Sequence, residues 1–327
     1  MRIGVWSLAH MHAYSYLACL ASHEAVTWAG VVDEEQPDRA RTAAQEHDLH
    51  WVESADELLG LVDAVIITSA NVDHARMALR AAEAGVHALV EKPLAADRVN
   101  ALAMIDAFRQ RDLVLATAFP CPFSPAFVAL QEQVEAGALG DILALRTTNR
   151  GSMPGGFFIE LERSGGGAVI DHTVHVADLL RRLTASEPVR VYAEVGHGLY
   201  HEAWDDSGLL SIDMASGAVA TLDTSWSRPK SFPTWGDVTI SVIGSEGNAQ
   251  ADLLGQHVTL YPHEVTRPRW ISWGSDLDSL MVEDFLSAVR EGRSPRSTGE
   301  DGLAALEVAL AAYASAEAGQ PVEIRSL

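Results

Sequence analysis

Ala64-Val-Ile-Ile67, Asp73-His-Ala-Arg-Met-Ala-Leu-Arg-Ala-Ala-Glu-Ala84-Gly85 and His87-Ala-Leu-Val90-Glu91-Lys92-Pro93 follow one another in the chain and decide its fold. The outer two are short apolar runs of the kind buried strands need. The middle one has helical spacing and stops at Gly85, the residue that takes the left-handed conformation of a helix end at least cost. Strand, helix and strand in so short a stretch make a parallel crossover unit. The pattern continues on both sides: Ile3–Trp6, a helical segment to about Ala21, Val26–Val32 stopping at Asp33, Pro37–His47, then Asp97–Gln110 and Leu113–Thr117. Ser54-Ala-Asp-Glu57 reads as a capping box opening a further helix. Buried strands alternating with helices predict an α/β domain with a doubly wound parallel sheet.

After Phe119 the rhythm changes. Pro120, Pro122 and Pro125 mark a linker, because proline ends strands and helices alike. Beyond it the spacing predicts a helix over Pro125–Ala136, a strand over Ile142–Thr148, an irregular glycine-rich Gly151–Gly167 and a helix to about Leu183. Alternating strands with turn signals then run from Arg190 to Tyr261, as in an antiparallel sheet, and helices over Asp276–Arg290 and Gly302–Ala318 follow. The expected division is 1–120, a dinucleotide-binding type of domain, and 121–327, an α+β domain. A length of 327 residues agrees with two domains at roughly 150 residues each.

Charge narrows the partners. The chain has 23 basic and 45 acidic residues, net -22, and no basic stripe, so nucleic acid and anionic membrane surfaces are excluded as natural ligands. Two cysteines, Cys19 and Cys121, support no disulfide framework and point to a reducing cytoplasm. No apolar run approaches the length of a membrane span, and Met1-Arg-Ile-Gly-Val-Trp6 lacks the order of a signal peptide. Lysine is almost absent: only Lys92 and Lys230.

In a doubly wound fold ligands sit beyond the carboxyl ends of the strands. The loop after the first strand reads Ser7-Leu8-Ala9-His10-Met11-His12, where a dinucleotide fingerprint would have three glycines. Small residues hold the first two positions and histidine the third, so backbone amides at the helix start are left to hold an anion. Asp33 ends the second strand, where an acidic side chain bonds the adenosine ribose. Glu34 and Glu35 follow it with no adjacent arginine, which favours NAD over NADP. Lys92, in Glu91-Lys92-Pro93 at the mouth of the sheet, is placed for proton handling, since partial burial and a cationic nicotinamide would lower its pKa. In Gly165-Gly-Gly-Ala-Val-Ile-Asp171-His172-Thr-Val-His175, Asp171 and His175 are i and i+4, on one helix face, as an acid/base histidine and its orienting carboxylate would be. The glycines there leave room for a ligand at the helix start.

These motifs, in this order, resemble the Gfo/Idh/MocA oxidoreductases. The resemblance runs over the strand-one loop, Ser69-Ala-Asn71-Val-Asp-His74, Ala84-Gly-Val-His87 into Glu91-Lys92-Pro93, Gly137-Ala-Leu-Gly140-Asp-Ile142, the Gly165–His175 segment, Gly244-Ser-Glu-Gly247 and Ser297-Thr-Gly-Glu-Asp301. It implies a Rossmann domain and a C-terminal domain with a large, mostly antiparallel open sheet that builds a homodimer or tetramer. It further implies a nicotinamide cofactor and hydride transfer at a hydroxyl or carbonyl carbon of a sugar, polyol or inositol-like small molecule. Carried over by position, Lys92, Asp171 and His175 are catalytic. Ser69, Asn71, His74 and Glu91 line the cofactor, with the Ser7–His12 loop and Asp33, and His172 touches substrate. The chain departs from the family pattern at the glycine fingerprint, at Ala70 in place of proline, and at Pro122-Phe123 in place of Arg-Phe. Two other readings use the same residues: a dinucleotide sensor without catalysis, and a metal-dependent enzyme built on Asp171, His172 and His175. His10, His12, His197 and His201 are also ligand types, yet no complete metal signature is present, so no metal is expected.

Overall fold

The computed structural model describes residues 1–263, 269–272 and 274–325. By internal contacts they form two units: Met1–Pro120 with Gly156–Gly165 and Leu277–Leu303, and Cys121–Gly155 with Gly166–Asp276 and Ala304–Leu327.

In the first unit the elements are β1 (Arg2–Trp6), α1 (Ala13–Ala21), β2 (Trp28–Val32), α2 (Pro37–Glu46), β3 (His50–Trp51), α3 (Ala55–Leu61), β4 (Ala64–Ile67), α4 (His74–Glu83), β5 (His87–Val90), α5 (Arg98–Arg109) and β6 (Leu115–Thr117). All strand pairs are parallel, in the order β3-β2-β1-β4-β5-β6. The order reverses at β1/β4, which is where a doubly wound sheet opens a ligand crevice. Ile3, Val5, Val65, Ile66, Ile67, Ala88 and Leu89 are fully buried, as expected of strands covered on both faces. The forward half of the capping box forms, the Glu57 amide donating to Ser54 Oγ at 3.2 Å, while Glu57 Oε2 accepts the amide of Glu53, one residue before the cap, at 3.0 Å. The two-residue β3 was not predicted from sequence, being too short to show a period.

The rest of the chain carries α6 (Pro125–Glu135), β7 (Ile142–Gly151), α7 (Leu161–Ser164, in the first unit), α8 (Ala168–Thr184), β8 (Pro188–Gly196), β9 (Ser207–Met214), β10 (Val219–Ser225), β11 (Gly236–Gly244), β12 (Asn248–Asp252), β13 (His257–Leu260), β14 (Arg269–Ser272), α9 (Leu277–Glu291, in the first unit), α10 (Gly299–Ala318) and β15 (Val322–Glu323). Seven of these strands form one sheet, β12-β11-β7-β10-β9-β8-β15, antiparallel except for β7/β10. Alternation along β9 buries Gly208, Leu210, Ile212 and Met214, and α8 packs over that face. The opposite face presents Arg146, Thr148, Leu209, Ser211 and Thr221. Several extents differ from the sequence reading: β7 runs three residues further, held between β10 and β11, α10 starts three residues earlier, at Gly299, β6 starts two residues later, at Leu115, and Gly151–Gly167 contains a 3₁₀ turn (Gly156–Ile159) and α7.

Candidate active site

In the first unit, β1 is followed by Ser7, which takes φ 72° where the fingerprint would have glycine. The strain is held on both sides. Ser7 N donates to Val32 O at 2.8 Å, and Thr68 Oγ donates to Ser7 O at 2.6 Å. Of the loop amides, Leu8 N donates to Asp33 Oδ2 (2.9 Å), Ala9 N to Ser7 Oγ (3.3 Å), His10 N to Thr68 O (2.9 Å) and His12 N to His10 Nδ1 (3.2 Å). Met11 N has no partner among the described residues.

Asp33 is buried, and its carboxylate also accepts the amides of Glu35 and Gln36 at 3.1 and 3.0 Å. Arg39, six residues on, closes a short ion pair with it through both Nε and Nη2. This corrects the expectation of an arginine-free ribose site: one turn into α2 the helix carries Arg39 back to the strand end, a return that adjacency in sequence does not reveal.

Glu91, at the end of β5, is completely buried. Its Oε1 accepts the Tyr16 hydroxyl (2.6 Å) and faces the Nδ1 atoms of His12 (3.1 Å) and His10 (3.6 Å), and its Oε2 accepts the Lys92 amide (3.0 Å). Burial alone would raise its pKa, but the two imidazoles and Lys92 outweigh it and hold the carboxyl well below the usual range. For His12, burial works downward and Glu91 upward, and Glu91 wins, so the ring pKa is raised. Tyr16 is pushed well above its ordinary value, by burial first and then by Glu91. Lys92 is only 4% exposed, with its ammonium 5.8 Å from the ring of Phe158. Phe158 and Phe157 stack on each other and flank His10. Sequence reasoning missed Tyr16, although it lies four residues from His12 on α1, and missed both phenylalanines inside the segment read as irregular.

His74 holds two turns together. Its Nδ1 faces Pro93 O at 2.9 Å and its Nε2 faces Ser69 O at 3.2 Å, while burial lowers its pKa. Ser69 Oγ donates to Ala70 O, and Asn71 Nδ2 donates to Ser164 O at 2.8 Å. Asn71 Oδ1 is buried with no partner among the described residues. An acceptor left in that state fits a ligand bearing an amide or hydroxyl donor.

In the second unit, the glycines before α8 are accounted for by protein. A Cβ on Gly167 would stand 2.0 Å from the Asp205 carbonyl oxygen, and one on Gly166 would stand 2.3 Å from the Tyr313 hydroxyl. Asp205 accepts Gly167 N and Val169 N through its carboxylate (2.8 and 2.7 Å) and Ala168 N through its carbonyl (2.9 Å). Tyr313 donates to Asp205 at 2.9 Å and accepts from Gly167 and Ile170. Burial, then Asp205, raises the phenol well above its ordinary pKa. The room at this helix start, expected to admit a ligand, is therefore filled by Asp205 and Tyr313, which come from 36 to 146 residues away in the chain.

Along α8, Asp171, His172 and His175 are all buried. Asp171 Oδ2 accepts the Trp226 indole N–H at 3.0 Å and lies 3.2 Å from His172 Nε2. His172 Nδ1 donates to Asn149 O (3.0 Å), Asn149 Nδ2 donates back to His172 O (3.1 Å), and Trp235 meets the ring edge-on at 5.2 Å. Asn149 and Trp226 were not foreseen, since Asn149 lies on β7 and Trp226 just past the end of β10. Among the described residues the ligand types that gather closely enough to hold an ion are His10, His12 and Glu91, and Asp171, His172 and His175 do not form such a group. The loop before α1 turns its two histidines toward one carboxylate.

Residues 2–119 match the oxidoreductase family with an NAD-binding Rossmann fold, and 127–250 match the GFO/IDH/MocA C-terminal domain. The chain belongs to the Gfo/Idh/MocA oxidoreductases. It is similar to 1,5-anhydro-D-fructose reductase of Ensifer adhaerens, 30% identical over 290 residues that cover 84% of either protein. It is likewise similar to myo-inositol 2-dehydrogenase of Thermotoga maritima, 30% identical over 277 residues that cover 81% of either. Among solved structures, GenD2 from gentamicin A biosynthesis in complex with NAD superposes with a TM-score of 0.90 at 26% identity, over 100% of this chain and 97% of that one. In this Gfo/Idh/MocA chain no helix among the described residues is long and apolar enough to cross a membrane.

Proposed function

We propose that the protein is an NAD(H)-dependent dehydrogenase or reductase acting on a CH–OH or carbonyl carbon of a sugar, polyol or inositol-like compound. The observation that carries this is Lys92: one of two lysines in the chain, buried at the carboxyl end of β5 beside a fully buried Glu91. Taking a normally solvated ammonium out of water costs free energy, and such buried ionisable groups cluster at functional sites. The names of the two relatives, a sugar reductase and an inositol dehydrogenase, support the substrate class.

The first unit has features that suit a dinucleotide: a left-handed turn at Ser7, the uncommitted Met11 amide and the buried Asn71 acceptor. When bound, the nicotinamide supplies the hydride acceptor or donor. Lys92 holds the substrate oxygen and its proton, His175 takes or gives that proton as general base or acid, and Asp171 orients the imidazole or the substrate. The Asn149 lock fixes His172 in one tautomer beside Asp171, which suits a substrate-contacting role. Arg39 beside Asp33 is the residue to vary when NAD preference over NADP is measured.

Lys92→Ala and His175→Ala should each lower kcat about 100-fold or more while leaving the NADH Kd within about threefold. Turnover close to wild type in either variant, on a panel of sugars and inositols, would sink the assignment. NADH binding with no turnover by the wild-type protein on that panel would favour a sensor.

A further inference from the structure

We infer that His10, His12 and Glu91 form a binding site for one divalent metal ion of the zinc class. The argument rests on where the ligand atoms stand. His10 Nδ1, which accepts the His12 amide at 3.2 Å, lies 3.6 Å from Glu91 Oε1. His12 Nδ1 lies 3.1 Å from the same oxygen, and the ligand atoms of all three residues lie within 4.8 Å of one another.

The spacing suits such an ion. Donors held about 2.0–2.1 Å from a tetrahedral centre stand roughly 3.3 Å apart, and 3.1 and 3.6 Å bracket that value. Two imidazoles and a carboxylate are a known set for zinc with a fourth position left open. The surroundings act as an outer shell should. Tyr16 donates to Glu91 Oε1 and the Lys92 amide to Oε2, which fixes the carboxylate plane. His12 is partly exposed, with 34% of its side chain open to water, which provides an entry path. Binding would displace the long His12 amide contact to His10 and release the proton that His12 Nδ1 shares with Glu91. The ligands belong to the loop and strand end that the proposed function gives to the dinucleotide, and titration of the metal alone, without cofactor or substrate, tests the site separately from hydride transfer.

The test is calorimetric titration of Zn²⁺ alone into the full chain, produced without a polyhistidine tag and freed of metal by a chelator. A parallel Co²⁺ titration is followed by visible absorption. The expected result is one ion per chain with visible cobalt bands. Affinity should fall at least about tenfold in His12→Ala and in the near-isosteric Glu91→Gln, and stay unchanged in His201→Ala, an exposed histidine of the other unit. Circular dichroism verifies that the variants are folded; Glu91→Gln keeps the shape of the side chain and one of its two acceptor oxygens, and so serves if His12→Ala does not fold. Binding well below one ion per chain, or equal affinity in wild type and either folded variant, overturns the inference.

Discussion

The start of α1 and the start of α8 are both helix openings that ought to receive a ligand, and they exchange roles. Before α1 the glycines have been replaced, yet Ser7 keeps the left-handed turn, the Met11 amide has no protein partner, and His10, His12 and Glu91 converge. Before α8 three glycines remain, yet Asp205 and Tyr313 fill the space and take the amides. Glycine marks a place where something comes close to the backbone. Whether that something is a ligand or the protein's own side chain depends on what the rest of the chain brings there.

The comparison breaks most readily at Gly167. Gly167→Ala puts a methyl 2.0 Å from a backbone oxygen, so it should destabilise by more than about 3 kcal/mol or prevent folding. An urea midpoint like that of wild type would show that the close approach is dispensable. Next comes Asp205→Ala, which removes two charge-assisted amide bonds and the Tyr313 partner. A loss of about 2 kcal/mol is expected from denaturant unfolding. Ser7→Gly, at the other helix start, should stabilise by about 0.5–1 kcal/mol, since glycine takes φ 72° without strain. An unchanged or lower midpoint there would mean that the Ser7 hydroxyl outweighs the strain.

The smallest effect concerns pH. His74 is buried and its pKa is lowered by burial, so its protonation favours the unfolded chain. Its contribution is therefore complete above the unfolded value of about 6.5 and is lost as pH falls from there toward the folded value. His74→Gln should flatten that acidic slope in a plot of stability against pH. Identical slopes for the two proteins would remove His74 as the titrating group.

By itself the sequence determined the parallel alternation of strands and helices, the break after Phe119 and the antiparallel run from Arg190, and it singled out Lys92, Asp171 and His175 as candidates. These are legible because hydrophobic period, caps and turns act over a few residues. Only the tertiary structure decided that Arg39 closes on Asp33, that Tyr16 and two histidines share Glu91 across 75 to 81 residues, and that Tyr313 meets Gly167 across 146. Such meetings depend on how strands order in a sheet and on which side chains packing leaves at their ends. No local period encodes them: the sequence singled out candidate residues, and the fold chose their partners.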